Sequence, residues 1–442
     1  MNCHNSNCHP SEKDYFKRPN ALVKALLWTW FAVVVLIGLL GMPVVDRDIP
    51  GWDFMIYLNE VKHVVKHIDP FDVLVGNVKS EGYWPLGEEC FDDLDDSVPW
   101  SYKTVDANAP WTYTYMLPFA ADIPDNVKWQ IWEFFQFLFY GAVIAFAFVV
   151  GFRLRAFYGG LFVASAALSV GLTFTRNFMA GNLIMFVTAA IIGMLLCLER
   201  KWDVAAGLCW AIAISKPQDA LLLGIPLLLG KKWKTIFVAA SVSLLASYIA
   251  SCIIGKPMLE LILEVPKIKH TSELSVKLLP DAVSSMLISR GVSIDLLQRL
   301  NMLVGIAICG LMSWYLRRSN DWVLRFAPPV FCAALWTYMN DYDRCIFFLL
   351  QIVFACRFIL ATSVKERIFM IIMMVAVFCS CLELVDMFSG VICNVGDWLG
   401  VFDFRRIVND FVYVLTLVST AIVAIGLFFM CRQASIRSGA KI

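Results

Sequence analysis

Asp53, Lys216 and a few polar groups near them are the residues of this sequence whose types and spacing suit chemistry. Asp53 stands in Pro50-Gly51-Trp52-Asp53-Phe54-Met55-Ile56-Tyr57, just after the first long apolar run. A carboxylate held by a rigid element at a water-facing mouth can act as a general base. Aspartate at a helix start also serves as a cap, so the spacing leaves both roles open. Lys216 interrupts an apolar stretch in Ser215-Lys216-Pro217-Gln218-Asp219. A cation buried among helices is a functional candidate, although Asp219 can neutralise it locally. Further polar groups are Arg176 with Asn182, the turn Asn340-Asp341-Tyr342-Asp343-Arg344, and the stretch from Glu260 to Arg290 with Glu264, Lys267, Lys269 and His270.

A carboxylate with several cations at a membrane boundary suits a lipid-borne phosphate. The phosphate needs cations and N–H donors and leaves without a strong general acid, while the incoming hydroxyl needs a base. No nucleotide phosphate loop, HExxH pair or serine-nucleophile elbow occurs. Asp46-Arg47-Asp48 can bind a divalent ion or be an ordinary loop. Cys3-His4 and Cys8-His9 have ligand types but sit in a polar N-terminal tail. No cofactor is expected; a divalent cation is possible but not indicated.

The element carrying Asp53 reads as a helix over 53–68. Phe54, Tyr57, Leu58, Val61, Val65 and Ile68 recur at steps of three and four. The opposite face holds Asn59, Glu60, Lys62, His63, Lys66 and His67. That pattern predicts a helix lying in the membrane–water boundary with its apolar side down. The stretch Ala109-Pro110-Trp111-Thr112-Tyr113-Thr114-Tyr115, with Pro118 and Pro124, predicts an interface loop anchored by its aromatics. The acidic patch Glu88, Glu89, Asp92, Asp93, Asp95, Asp96 reads as solvated surface or a cation site.

The 442 residues are 59% hydrophobic, well above soluble domains, and the mean hydropathy is +0.69. An all-α polytopic membrane protein follows. A formal charge of +1 gives no reason to expect a nucleic-acid partner. Most of the 14 cysteines lie inside apolar runs, where they behave as small hydrophobes; Cys90 and Cys393 fall in loops and are candidates to pair. After a cytoplasmic tail, 1–24, spans are expected at 25–42, 129–151, 157–174, up to 198, 235–254, 297–315, 323–338, 346–360, 368–388 and 411–430. Residues 204–230 have basic clusters at both ends and a break at Lys216-Pro217. They predict a helical hairpin entering from the cytoplasm with its tip inside the protein. Counting its arms gives about twelve membrane helices in one domain. Basic residues favour the loops on the side of the N-terminus, so both termini are expected in the cytoplasm. Residues 44–128, with Asp53, and 255–296 become the two large outer loops.

Three stretches resemble glycosyltransferase family 87 of the C-type glycosyltransferases. Trp52-Asp53-Phe54-Met55-Ile56-Tyr57 with Ile68-Asp69-Pro70-Phe71 is similar to the family's Asp-aromatic-x-x-Tyr opening and its later Asp-Pro-aromatic. Ala109-Pro110-Trp111 through Pro118, Pro124 and Trp132 resembles its proline-rich entry to the second span. Gly181-Asn182 through Gly207 to Lys216-Pro217-Gln218 resembles its Gly-Gln/Asn, Ala-Gly and Lys-Pro series. The resemblance covers Trp52 to Lys234 well, and the C-terminal third by topology.

The resemblance implies an integral membrane enzyme of a bacterial inner membrane. It would move a mannose-like or arabinofuranose-like sugar from a polyprenyl phosphate to an acceptor hydroxyl on a glycan or glycolipid, outside and with inversion. It implies Asp53 as base and Lys216 on the donor phosphate, helped by Arg176 and Arg344; Trp52, Tyr57, Asn182, Asn340 and Asp341 would line the substrate. The family usually has a histidine in the 340–344 turn; here there is none, and Arg344 is the cation available. Two other readings use the same architecture: a transporter or flippase of a lipid-linked saccharide, and a surface-polysaccharide polymerase or ligase. The first usually shows repeat symmetry, and the second a large outer loop late in the chain. Neither feature is seen here.

Overall fold

The structure is a computed structural model and describes residues 21–40, 52–74, 109–170, 178, 180–271, 294–336, 341–380 and 404–437. These residues are helical, with no strand among them. In chain order the first helices are α1 (Ala21–Leu40), α2 (Trp52–Val65), α3 (Pro70–Leu74), α4 (Pro110–Met116) and α5 (Asp125–Leu168). Next come α6 (Ile184–Glu199), α7 (Asp203–Ala213), α8 (Pro217–Ala220), α9 (Gly224–Leu229) and α10 (Trp233–Ile254). The chain continues through α11 (Met258–Thr271), α12 (Ile294–Leu316), α13 (Trp322–Trp336), α14 (Phe348–Leu360), α15 (Val364–Ser380) and α16 (Phe404–Arg437). Short 3-10 turns occupy Leu117–Ala120, Leu221–Leu223 and Asp341–Phe347. Pro110 and Pro217 each open a helix, where a missing N–H costs nothing. Gly255, at φ 85°, closes α10 in the left-handed conformation.

The span expected at 129–151, and that expected at 157–174 as far as Leu168, lie within one helical stretch, α5, broken at Arg155 (φ −146°) and Ala156 (φ 56°). A Cβ built on Gly151 would collide with Gly159 O and would meet Val163 Cγ2 at 2.8 Å. In a continuous helix Gly159 would stand about 12 Å from Gly151 along the axis and Val163 about 18 Å, so the limbs fold back on each other. Glycine at 151 and 159 lets their backbones touch.

The segment 204–230 is broken in the same sense. At the ends of the segment away from the break, Lys232 Nζ donates to Asp203 Oδ1 (2.8 Å) and Thr235 Oγ1 to Asp203 O (3.0 Å). The start of α7 and the start of α10 therefore lie side by side, and Lys216 stands at the far tip between them. α7 packs against α6 and α10, and α8 against α13.

A large core joins α5, α6, α7, α13 and α14. A smaller one wraps α2, with Phe54, Met55, Leu58 and Val61 against Trp129, Trp132 and Leu183. Among the described residues two helices are long and apolar enough to cross a membrane, α5 and α10; Ile184–Glu199, Met302–Leu316 and Trp322–Ala333 are among the shorter apolar helices. Their outward faces carry large exposed apolar side chains, including Phe134, Leu138, Phe237 and Leu303.

The helix that carries Asp53 departs from expectation. It spans Trp52–Val65, with a turn at Lys66 and His67, and only part of its polar face is open: Lys62 is half-buried and Lys66 and His67 are exposed. Asn59, Glu60 and His63 are 1%, 1% and 3% exposed, as buried as the apolar side. α4, α10 and the Leu117–Ala120 turn pack onto α2, and His63 Nδ1 contacts Asn59 O at 2.7 Å. Periodicity reports which residues share a face, but not what covers that face. The 109–115 stretch likewise forms a packed helix, α4, whose Thr112 and Tyr113 are buried.

Candidate active site

Three segments far apart in sequence meet at one polar cluster. α2 contributes Asp53 and Tyr57, the turn before α6 contributes Asn182, and the break between α7 and α8 contributes Lys216 and Asp219. Asn182 Nδ2 donates to Asp53 Oδ2 (2.6 Å) and to Tyr57 Oη (3.2 Å). Its Oδ1 accepts from Lys216 Nζ (3.0 Å) and from the Ile184 backbone N–H (3.0 Å). One amide thus links a carboxylate on one side to an ammonium on the other. A carboxamide suits that task because its NH2 end donates and its oxygen end accepts, each to two partners. Lys216 Nζ also lies 3.6 Å from Asp219 Oδ2. Lys216 therefore has the local counter-ion expected from sequence and the link towards Asp53 as well.

Burial grades across the cluster. Asp53 is half-buried, whereas Lys216, Asp219, Asn182 and Tyr57 are 5%, 1%, 3% and 6% exposed. The carboxylate is the member nearest solvent and the cation lies deep. Asp53 sits in the first turn of α2, where unpaired backbone N–H groups favour a negative charge. Ser215 Oγ, beside Lys216, is buried with no hydrogen-bond partner among the described residues.

The aromatic packing around Gly181 explains why these residues meet. Phe54 lies 5.4 Å from Trp129, 5.5 Å from Trp132 and 5.7 Å from Phe119, ring centroid to centroid. Trp132 Nε1 donates to Gly181 O (2.9 Å). Gly181 has φ 71°, and a Cβ there would sit 2.6 Å from the Trp129 ring and 2.7 Å from Phe54 Cβ. Both conformation and space demand glycine, and the next residue is placed against α2.

Lys62 Nζ reaches Asp125 Oδ2 (2.9 Å) and Lys128 Nζ reaches Asp125 Oδ1 (3.2 Å), tying α2 to the start of α5. Burial works to raise the Asp125 carboxyl, but hydrogen bonds from Lys62 and Lys128 win and hold it below the usual range.

A second polar cluster was not foreseen as a unit. Lys256 Nζ lies 2.7 Å from Asp72 Oδ2 and 3.5 Å from Glu264 Oε1, and it hydrogen-bonds Asp69. It joins α3, the end of α10 and α11. Burial works to lower the Lys256 ammonium, but Asp69 and Asp72 overcome it and raise it. Burial, then the Asp69 charge, pushes the Glu264 carboxyl up to about 7 against the pull of Lys256.

Of the other residues expected in a site, Trp52 opens α2, and Asp341 and Arg344 lie in the Asp341–Phe347 turn. That turn packs on α6; Cys345 and Phe348 share a small cavity with Met185 and Thr188 at the Asn182 end of α6. Arg344 is half-buried. Arg176, Asn340, Asp46, Asp48, Cys90, Cys393 and the 88–96 acidic patch lie outside the described residues. Asp219, seen in sequence only as a possible partner for Lys216, proves part of the cluster. Its spacing of three from Lys216 was the available signal.

No curated protein and no solved structure matches the chain. The model of glycosyltransferase family 87 matches residues 109–339, more than half of the molecule. Asn182 and Lys216 lie within the match and Asp53 precedes it; hydrogen bonds through Asn182 bring Asp53 to the matched part. The chain belongs to glycosyltransferase family 87 and is a glycosyltransferase.

Proposed function

We propose that the protein is a multi-pass enzyme of a bacterial inner membrane that transfers a mannose-like or arabinofuranose-like sugar from a polyprenyl phosphate to an acceptor hydroxyl on a glycan or glycolipid. The site would face the outer side, both termini the cytoplasm, and the chain would count about twelve membrane helices with the arms of the α7–α9 hairpin. The observation that carries this reading is the Asp53–Asn182–Lys216 chain, with bonds of 2.6 and 3.0 Å. It sets a proton acceptor and a cation close together on opposite sides of one amide, as a displacement at an anomeric carbon requires.

The acceptor oxygen attacks the anomeric carbon while Asp53 takes its proton. The bond from that carbon to the phosphate oxygen breaks, and the phosphate leaves with the electron pair. A single displacement inverts the anomeric centre. Lys216 meets the charge that grows on the leaving phosphate, and its depth makes that interaction stronger than it would be in water. The Ser215 hydroxyl beside it is a second donor for a phosphate oxygen. In this reading Arg344 and Arg176 would add positive charge, and Trp52, Tyr57, Asn182, Asn340 and Asp341 would line the sugar and acceptor. Asn182 holds one Asp53 oxygen, which orients the carboxylate.

The test compares purified wild type, Asp53→Asn and Lys216→Met in transfer from polyprenyl-phosphate sugars and in binding of polyprenyl phosphate alone. Loss of the base is expected to lower kcat by roughly 10²–10⁴ with phosphate binding kept. Lys216→Met is expected to weaken that binding. A folded Asp53→Asn protein with full transfer would end the base assignment.

A further inference from the structure

The break at Lys216 leaves backbone carbonyls deep inside an apolar hairpin, and each such group needs a donor. Some are satisfied locally. The carbonyls of Trp210, Ile212 and Ala213 accept from the N–H groups of Ile214, Ser215 and Lys216, and Lys216 O accepts from Asp219 N. Pro217 has no N–H to offer. Donors to three neighbouring carbonyls come instead from α4. Trp111 Nε1 donates to Ile214 O (2.8 Å), Thr112 Oγ1 to Ser215 O (2.7 Å) and Tyr115 Oη to Ala211 O (3.4 Å). The two short bonds fall on the two residues immediately before Lys216. Thr112 is 1% exposed, so water does not replace its bond.

We infer that α4 is a clamp on the broken hairpin, and that Trp111 and Thr112 are positioning residues which set where the Lys216 ammonium stands and so how tightly the site holds a lipid phosphate. The inference rests on the proposed role of Lys216. Neither side chain reaches the ammonium itself; both act through the backbone that carries it. The same helix supplies an internal control. Thr114 Oγ1 donates to Ala246 O (2.6 Å) in α10, a bond of the same kind that does not touch the break.

The experiment is calorimetric binding of polyprenyl phosphate, without sugar, to the full-length protein in detergent. It uses wild type, Lys216→Met, Trp111→Phe, Thr112→Val and Thr114→Val. Elution volume and helical circular dichroism establish folding. Each phenylalanine or valine change removes one hydrogen-bonding group from an otherwise similar side chain. Trp111→Phe and Thr112→Val are expected to weaken binding by roughly three- to tenfold each, while Thr114→Val stays within about twofold of wild type. With transfer as the readout, the donor KM rises and kcat at saturating donor is largely kept. If Trp111→Phe does not fold, Thr112→Val carries the test. Wild-type binding that is lost with Lys216→Met but kept with Thr112→Val overturns this inference alone. So does equal weakening by all three α4 variants, which would mean general packing. Binding indifferent to Lys216→Met overturns the reading of Lys216 as well.

Discussion

Replacing Asn182 separates the proposed arrangement from a merely buried polar patch. The side chain makes four hydrogen bonds, two of them to charged groups, Asp53 at 2.6 Å and Lys216 at 3.0 Å. A bond to a charged group contributes about 1.5–3 kcal/mol, so losing both removes roughly 3–6 kcal/mol. If that energy orients the base and the cation in the transition state, Asn182→Ala lowers kcat/KM by about 10²–10⁴. Asn182→Asp is the sharper variant. It keeps an acceptor for Lys216 and for the Ile184 N–H, but it removes the donor to Asp53 and sets a second carboxylate against it. Transfer is then lost, and phosphate binding weakens as well, because the new carboxylate also neutralises Lys216. The assay is initial-rate transfer from a polyprenyl-phosphate sugar in detergent or vesicles, with polyprenyl-phosphate binding measured on the same preparations. A folded Asn182→Asp enzyme as fast as wild type would refute the reasoning, because the amide would then be orienting nothing.

Gly181→Ala is expected to destabilise the protein by about 1–3 kcal/mol, since its Cβ would overlap Trp129 and Phe54, seen as a lower thermal midpoint and weaker transfer. Glu264 titrates near 7 when folded, above the ordinary carboxylate value of 4.5. The folded state thus binds the proton more tightly, and stability falls as pH rises from 4.5 through 7. Glu264→Gln should flatten the thermal midpoint across that window; an unchanged slope counts against the assignment. Lys256→Met leaves Asp69, Asp72 and Glu264 converging without their cation, and is expected to lower the midpoint more at pH 8 than at pH 5, where Glu264 carries its proton. Arg344→Gln tests the cation offered by the Asp341–Phe347 turn, with weaker polyprenyl-phosphate binding expected and unchanged binding as the contrary result.

The sequence by itself determined what is local. Hydrophobic runs, helical spacing and proline positions gave an all-α chain, the helix carrying Asp53 and the break before Pro217, because a few neighbouring residues decide a helix and its end. They also gave the residue types, so that Asp53, Asn182 and Lys216 were legible as candidates one at a time. Tertiary structure decided what depends on distance. Asp53 and Asn182 lie 129 residues apart, and Trp111 and Ile214 lie 103 apart. No local pattern records which pairs of that separation share a hydrogen bond. Neither could spacing reveal that Asn59, Glu60 and His63 are covered, since burial belongs to the neighbours a face acquires. Gly181 shows the boundary between the two. Its type is read in the chain, but the need for it arises only when the Trp129 and Phe54 side chains close on its α-carbon.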